Sequence, residues 1–313
     1  MRLWLGCFIW LGSAAYAMAA TLPLIAPPQD FGLLQPSANH FYGSSGGNPR
    51  WAIASWDIPG GNLPQFSKHM SAGVTVLSTV APESGVRIEQ TGTGKTAYAL
   101  SQNGAALPCS NAAGQPRESD LFASVNGDNV TPPERSGMLL TGANAPALSA
   151  MTQLLATATV TYHYGDAAPR RVCPVAQGSP IIALILSDTA LHQTLFYQLS
   201  LGHVCGPQPA SRTQLCEAVS THPAINFFYR KNPFGADDLL PLYGQPYFTN
   251  GETRSLRLNL LPHLIQIIKS GPPGMDREPA HWTVTGYYNG QIIFGGITMA
   301  TTWRGVALDA VTP

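Results

Sequence analysis

Residues 281–296, HWTVTGYYNGQIIFGG, constrain the fold of this chain more than any other stretch. Asn289-Gly290 is the dipeptide a two-residue type I′ turn prefers, because both central positions need a positive φ, and β-formers flank it on either side. The stretch therefore predicts a β-hairpin. In it Tyr288 faces Gln291, Tyr287 faces Ile292, Gly286 faces Ile293 and Thr285 faces Phe294. Period-two alternation puts Thr283, Thr285, Tyr287, Ile292 and Phe294 on one face. Trp282, Val284, Gly286, Tyr288, Gln291 and Ile293 fall on the other. Both faces carry large apolar groups, so one is expected to be core and the other to be covered or to bind a ligand.

The rest of the chain also reads as β-structure. Strand-like runs at 50–58, 73–80, 86–90, 97–101, 121–125, 156–164, 181–186, 194–201 and 226–230 are separated by Gly and Pro turn signals. Short strands so spaced point to a sandwich or barrel. Asn103-Gly104, Asn126-Gly127 and Asn250-Gly251 are further turn candidates. One region breaks the pattern. Residues 255–260 alternate like a strand, after which Leu261, Leu264, Ile265 and Ile268 follow helical spacing up to the stop signal Gly271-Pro272. Pro262 is tolerable only in a first helical turn. A short helix near 261–270 is thus expected to pack on the sandwich, with 301–311 as the closing strand. Residues 21–49, rich in Pro, Gly, Ser and Asn, read as an extended lead-in. Residues 50–313 read as one domain with a soft boundary near 131–146.

The N-terminus reads as a signal peptide over residues 1–20. Arg2 supplies the positive charge, a short apolar run follows, and small-residue cleavage spacing occurs at Ala15-Tyr16-Ala17 and at the preferred Ala17-Met18-Ala19. The run is too short to span a bilayer, and no membrane span is expected after cleavage. A secreted or periplasmic protein follows. Of five cysteines, Cys7 falls in this segment and Cys109, Cys173, Cys205 and Cys216 are left. An even number in an exported chain favours disulfides. Cys205 and Cys216 bracket a Gly-Pro-rich loop, so they are expected to pair, leaving Cys109 with Cys173. Charged residues make up only 11% of the chain and its formal net charge is zero. That argues against nucleic acid and against a polybasic membrane surface. The polarity resides in Thr, Ser, Asn, Gln and Gly, which suits a neutral partner such as a polysaccharide or glycan.

Three tempting motifs fail. The run ending Gly94-Lys95-Thr96 lacks the first glycine of a P-loop, a position held by Glu89. Gly43, Ser45 and Gly47 fit G-x-S-x-G without the strand before and helix after that a nucleophile elbow needs. Asn129-Val130-Thr131 fits the glycosylation sequon, which matters only in a eukaryotic secretory pathway. Carboxylate pairs for glycoside hydrolysis would come from Glu118/Asp120 or Asp276/Glu278, at i, i+2 but in loop-like surroundings. Asp237 and Asp238 are adjacent in a loop, and Glu83, Glu89, Glu217 and Glu252 show no sequence partner. A lyase would draw on Tyr229, Arg230, His281, Tyr287 or Tyr288 as base and neutralising group. None of the eight histidines has metal-ligand spacing, so neither a metal nor another cofactor is expected.

Residues 194–201, the strand and helix at 256–268, and the terminal 281–296 with Thr301-Thr302-Trp303-Arg304-Gly305 together resemble a concanavalin A-like jelly roll. The likeness is to secreted carbohydrate-binding modules and jelly-roll polysaccharide enzymes, and covers only the part from residue 194 onward. The E-x-D-x-x-E run of the glucanases and the R-x-E-L-R and Q-I-H runs of alginate-lyase-like proteins are absent. Tyr197-Gln198 and residues 288–291 echo the aromatic–glutamine strands of the latter. The resemblance implies an antiparallel jelly-roll sandwich with a sugar-facing surface. A carbohydrate-binding protein is the leading expectation, followed by a polysaccharide lyase or glycoside hydrolase of the same fold, then a structural or surface-interaction protein. Trp282, Tyr288 and Gln291 are expected to line the ligand side around a trough at Gly286. Thr285, Tyr287, Ile292 and Phe294 are expected to face the core.

Overall fold

Alternating buried and exposed side chains sort the strands into two layers. The computed structural model describes residues 19–25, 31–33, 35–37, 40–42, 51–56, 67–81, 84–91, 96–110, 117–125, 145–166, 177–201, 217–222, 225–231, 248–294 and 296–313. Strands are numbered in chain order. The first sheet runs β16 (Thr253–Asn259), β11 (Gln153–Asp166), β18 (Ile297–Thr312), β9 (Thr96–Asn103), β8 (Ser84–Gln90), β7 (Val74–Ala81), β6 (Ser67–Ser71). β1 (Ala20–Pro23) joins it by pairing with the far end of β18. The second sheet runs β14 (Glu217–His222), β15 (Ile225–Lys231), β13 (Thr194–Ser200), β12 (Gln177–Asp188), β17 (Trp282–Phe294), β10 (Glu118–Val125), β5 (Trp51–Trp56), β2 (Phe31–Leu33). β3 (Gln35–Ser37) and β4 (His40–Tyr42) form a small ladder of their own. Pairing is antiparallel except between β13 and β15 and between β2 and β5. The chain is therefore an all-β sandwich, as its sequence predicts, and the described residues between 20 and 42 include four short strands.

Helix α1 (Leu261–Lys269) is where helical spacing predicts it, with Pro262 in its first turn. It buries Leu261, His263, Leu264, Ile267 and Ile268, whereas Ile265 is only half-buried. Of the three further Asn-Gly signals, Asn250-Gly251 is a turn, with Gly251 at φ +82°. Asn103 instead caps a 3-10 turn, its Oδ1 accepting from the Ala105 amide at 3.1 Å. Asn126-Gly127 and most of the expected boundary at 131–146 lie outside the described residues. The turn between β6 and β7 uses Ala72 and Gly73, both at positive φ, and carries no Asn-Gly signature.

The predicted hairpin does not form. β17 runs unbroken from Trp282 to Phe294, with β12 on one side and β10 on the other. At the expected turn, Asn289 lies opposite Ile182 and Ala123, and Gly290 lies opposite Ile181 and Phe122. A Cβ on Gly290 would sit 2.3 Å from the Leu121 carbonyl oxygen and 2.7 Å from the Phe122 Cα. The glycine thus serves close backbone approach between strands, the other use of glycine inside a strand.

Face assignment changes accordingly. Ile185 pairs with Gly286 but Leu186 pairs with Val284, so Thr285 is an extra, bulged residue. Before the bulge Trp282 and Val284 face the interior. After it Tyr287, Asn289, Gln291 and Ile293 do so, while Tyr288, Gly290, Ile292 and Phe294 turn to the outer face. Trp51, Tyr98, Tyr162, Tyr197, Trp282, Tyr287 and Trp303 fill the space between the sheets, and the Trp51 and Tyr287 rings meet edge-on at 6.1 Å.

A polar seam ties the sheets together within this apolar interior. Gln291 Nε2 donates to Gln102 Oε1 at 2.9 Å and to the Met299 carbonyl at 3.3 Å. Gln291 Oε1 accepts from the Thr301 hydroxyl at 2.9 Å, and that hydroxyl accepts from Trp303 Nε1 at 3.0 Å. Gln102 Nε2 donates to Ser119 Oγ at 2.8 Å. Buried amides are tolerable here because each finds partners on the facing strand.

Candidate functional site

β17 presents two surfaces beyond the core: the outer face of its sheet, and the rim where the strand begins. On the outer face Tyr288 meets Phe122 and Phe196 with ring centroids 6.1 and 6.0 Å apart. Cross-strand register adds polar groups to the same face: Ser124 opposite Tyr288, Ser179 and Asp120 opposite Ile292, Glu118 opposite Phe294, and Gln198 opposite Ala183. The same register sets Arg230 of β15 beside Gln198. The face is covered: Tyr288 is 8% exposed, and Phe122, Ser124, Gln198 and Phe294 are buried.

The rim is open. A 3-10 turn over Pro279–His281, capped by Glu278, delivers the chain into β17. His281 Nδ1 lies 2.7 Å from Asp276 Oδ2, with the imidazole 43% exposed and the carboxylate 10%. Asp276 Oδ1 accepts from the Glu278 amide at 2.8 Å. That bond and the one from His281 hold Asp276 below the usual carboxylate range, and the bond to Asp276 raises His281 above the ordinary imidazole value. Asp188, at the end of β12, joins from the other side; its two oxygens accept from the Ala190 and Leu191 amides at 2.9 and 2.7 Å. Gln193 braces the loop, donating to the Gly274 carbonyl at 2.6 Å and accepting from the Asp276 amide at 2.9 Å. Trp282 Nε1 donates to the Asp276 carbonyl at 3.0 Å, fixing the rim to the core. One ligand atom from each of Asp188, Asp276 and His281 lies within 4.8 Å of the others. A divalent cation there would compete with the His281–Asp276 hydrogen bond. Chemically, the rim offers a fixed, partly charged donor beside carboxylates.

The residues expected to share a ligand face are separated. Trp282 and Gln291 are fully buried between the sheets, whereas Tyr288 is on the opposite side of the strand. Gly286 marks a bulge, and Phe294, expected in the core, belongs to the outer cluster with Tyr288 and Ile292. Tyr287 does face the core as expected. Glu118 and Asp120, placed in a loop by the sequence reading, stand on one face of β10. Tyr229 is drawn inward: its hydroxyl lies 3.2 Å from His263 Nε2, and the Tyr197 hydroxyl lies 3.0 Å from His263 Nδ1, locking α1 onto the sheet. Glu89 pairs with Arg87, and Glu252 with Arg254. Cys109 lies among the described residues; Cys173, Cys205 and Cys216 lie outside them, as do Ser45, Glu83, Lys95, Asn129, Asp237 and Asp238. Asp188 escaped the sequence reading because its partners come from a segment far along the chain. The Asp-x-Glu-x-x-His run at 276–281 was the signal that could have found the rim. No protein-family model matches this sequence, and no curated protein is found similar to it.

Proposed function

We propose that the chain is an exported carbohydrate-binding protein of jelly-roll type that contacts a neutral glycan at the rim around His281. The observation that carries this reading is the half-exposed imidazole held by Asp276, a preset polar group on a rigid frame. With Nδ1 engaged, Nε2 is the ring nitrogen that meets a ligand. Glu278 is exposed nearby, and Leu191, 58% exposed, adds an apolar surface beside the Asp188 turn. A sugar offers hydroxyls and a C–H face, and a few oriented polar groups beside apolar surface suit both. The disulfides expected of the four cysteines that follow the signal segment would accord with export, since such bonds persist in oxidising compartments.

Affinity electrophoresis through a panel of neutral polysaccharides tests the proposal. Retardation of the wild type that His281→Ala abolishes, with the fold retained and the melting temperature lowered only slightly, is the expected result. No retardation on any polysaccharide contradicts it and favours a structural protein. A second reading has its own observation: Glu118 and Asp120 share a strand face with Tyr288 but are only half-buried where the aromatics of that face are covered, a carboxylate pair of the kind a hydrolase uses. New reducing or unsaturated ends, lost in Glu118→Gln or Asp120→Asn, would establish turnover in place of simple binding.

A further inference from the structure

We infer that the sandwich holds bound water between β9 and β17, at the hydroxyl of Tyr287 and the side-chain oxygen of Asn289. Thr96, Tyr98 and Gln102 lie on the inward face of β9, and Tyr287, Asn289 and Gln291 on that of β17. At the Gln102–Gln291 end every side-chain amide atom has a protein partner. At the other end Asn289 Nδ2 donates to the Tyr98 hydroxyl. Asn289 Oδ1, Tyr287 Oη and Thr96 Oγ1 are buried there with no protein hydrogen-bond partner.

Tyr287 and Asn289 are two residues apart on one strand face, and both are fully buried. Burial raises the phenols of Tyr98 and Tyr287 well above their ordinary value, so both stay neutral and each carries an O–H donor. A water accepting from Tyr287 and donating to Asn289 Oδ1 has the two polar partners that buried water requires. Leaving these atoms dry would forfeit their solvation with nothing in return. Thr96, two residues beyond Tyr98 on the same face, offers a further hydroxyl for a second water.

A crystal structure resolving ordered solvent, paired with thermal melts of Tyr287→Phe, tests this. The expected result is solvent density about 2.5–3.0 Å from both oxygens. The variant, which keeps the ring edge against Trp51, should melt a few degrees below the wild type because it removes a satisfied donor. A dry interior at both oxygens overturns the inference. So does a Tyr287→Phe protein melting at or above the wild-type temperature, because removing an unsatisfied buried hydroxyl is neutral or stabilising.

Discussion

The two ends of β17 carry similar residues in opposite circumstances. At its start His281, Asp276 and Glu278 form a polar group open to solvent, anchored by a tryptophan that points inward. Past the bulge Tyr287, Asn289 and Gln291 are equally polar, yet they are sealed between the sheets. Composition does not separate the two ends. Partners do: the facing β9 and β18 supply donors and acceptors to Gln291, whereas the rim draws on its own turn and on Gln193 of the neighbouring loop. Polar and aromatic residues on a strand therefore mark a binding surface only where no facing sheet seals them from solvent.

The largest expected effect breaks the sealed end outright. Gly290→Ala drives a methyl into the Leu121 carbonyl, and backbone cannot give way as a flexible side chain can. Loss of about 3 kcal/mol or more, or of soluble protein altogether, is expected in denaturant titrations and expression yield. Trp282→Ala comes next, at about 3–5 kcal/mol for a fully buried aromatic. Because its indole also holds the Asp276 carbonyl, this variant should loosen the rim as well. Tyr288→Ala should lose roughly 2–4 kcal/mol through its contacts with Phe122 and Phe196. A silent Tyr288→Ala would restore an open outer face. Gln291→Ala strips partners from Gln102 and Thr301 and should cost about 1–3 kcal/mol.

The rim yields the smallest stability effect, read through pH. The raised value of His281 means its pairing favours the fold fully below about 6.5 and is lost as pH rises through the folded value. The lowered value of Asp276 means its share is complete above about 3.9 and is lost as pH falls through the folded value. The pair is whole between those limits. A shallow maximum in melting temperature there, flattened in His281→Ala, is the expected profile. Glycan retardation should fall on the alkaline side as the imidazolium is lost.

Much of the architecture was legible because burial imposes period. Alternation located most strands, and the spacing of Leu261, Leu264 and Ile268 located α1. The Asn-Gly signal misled because a glycine required for close strand approach has the same local appearance as one required for positive φ. Only the neighbours Leu121 and Phe122, supplied by β10, distinguish the two. The bulge at Thr285 then inverted the faces, and it lies in no local motif. Asp276, Glu278 and His281 were each visible as chemistry-bearing residues, but their convergence with Asp188 depends on the β12–β17 register.

Residue-resolved amide hydrogen exchange tests the contrast between the two ends most directly. The amides of residues 288–292 should exchange among the slowest in the molecule, through global unfolding alone, because β10 and β12 pair both edges of this segment. Those of residues 190–192 and 276–278 should exchange through local opening, orders of magnitude faster. Rapid exchange at Asn289 and Gly290, matching that of the rim, would mean that a turn interrupts β17 and that its polar residues are not sealed in the core.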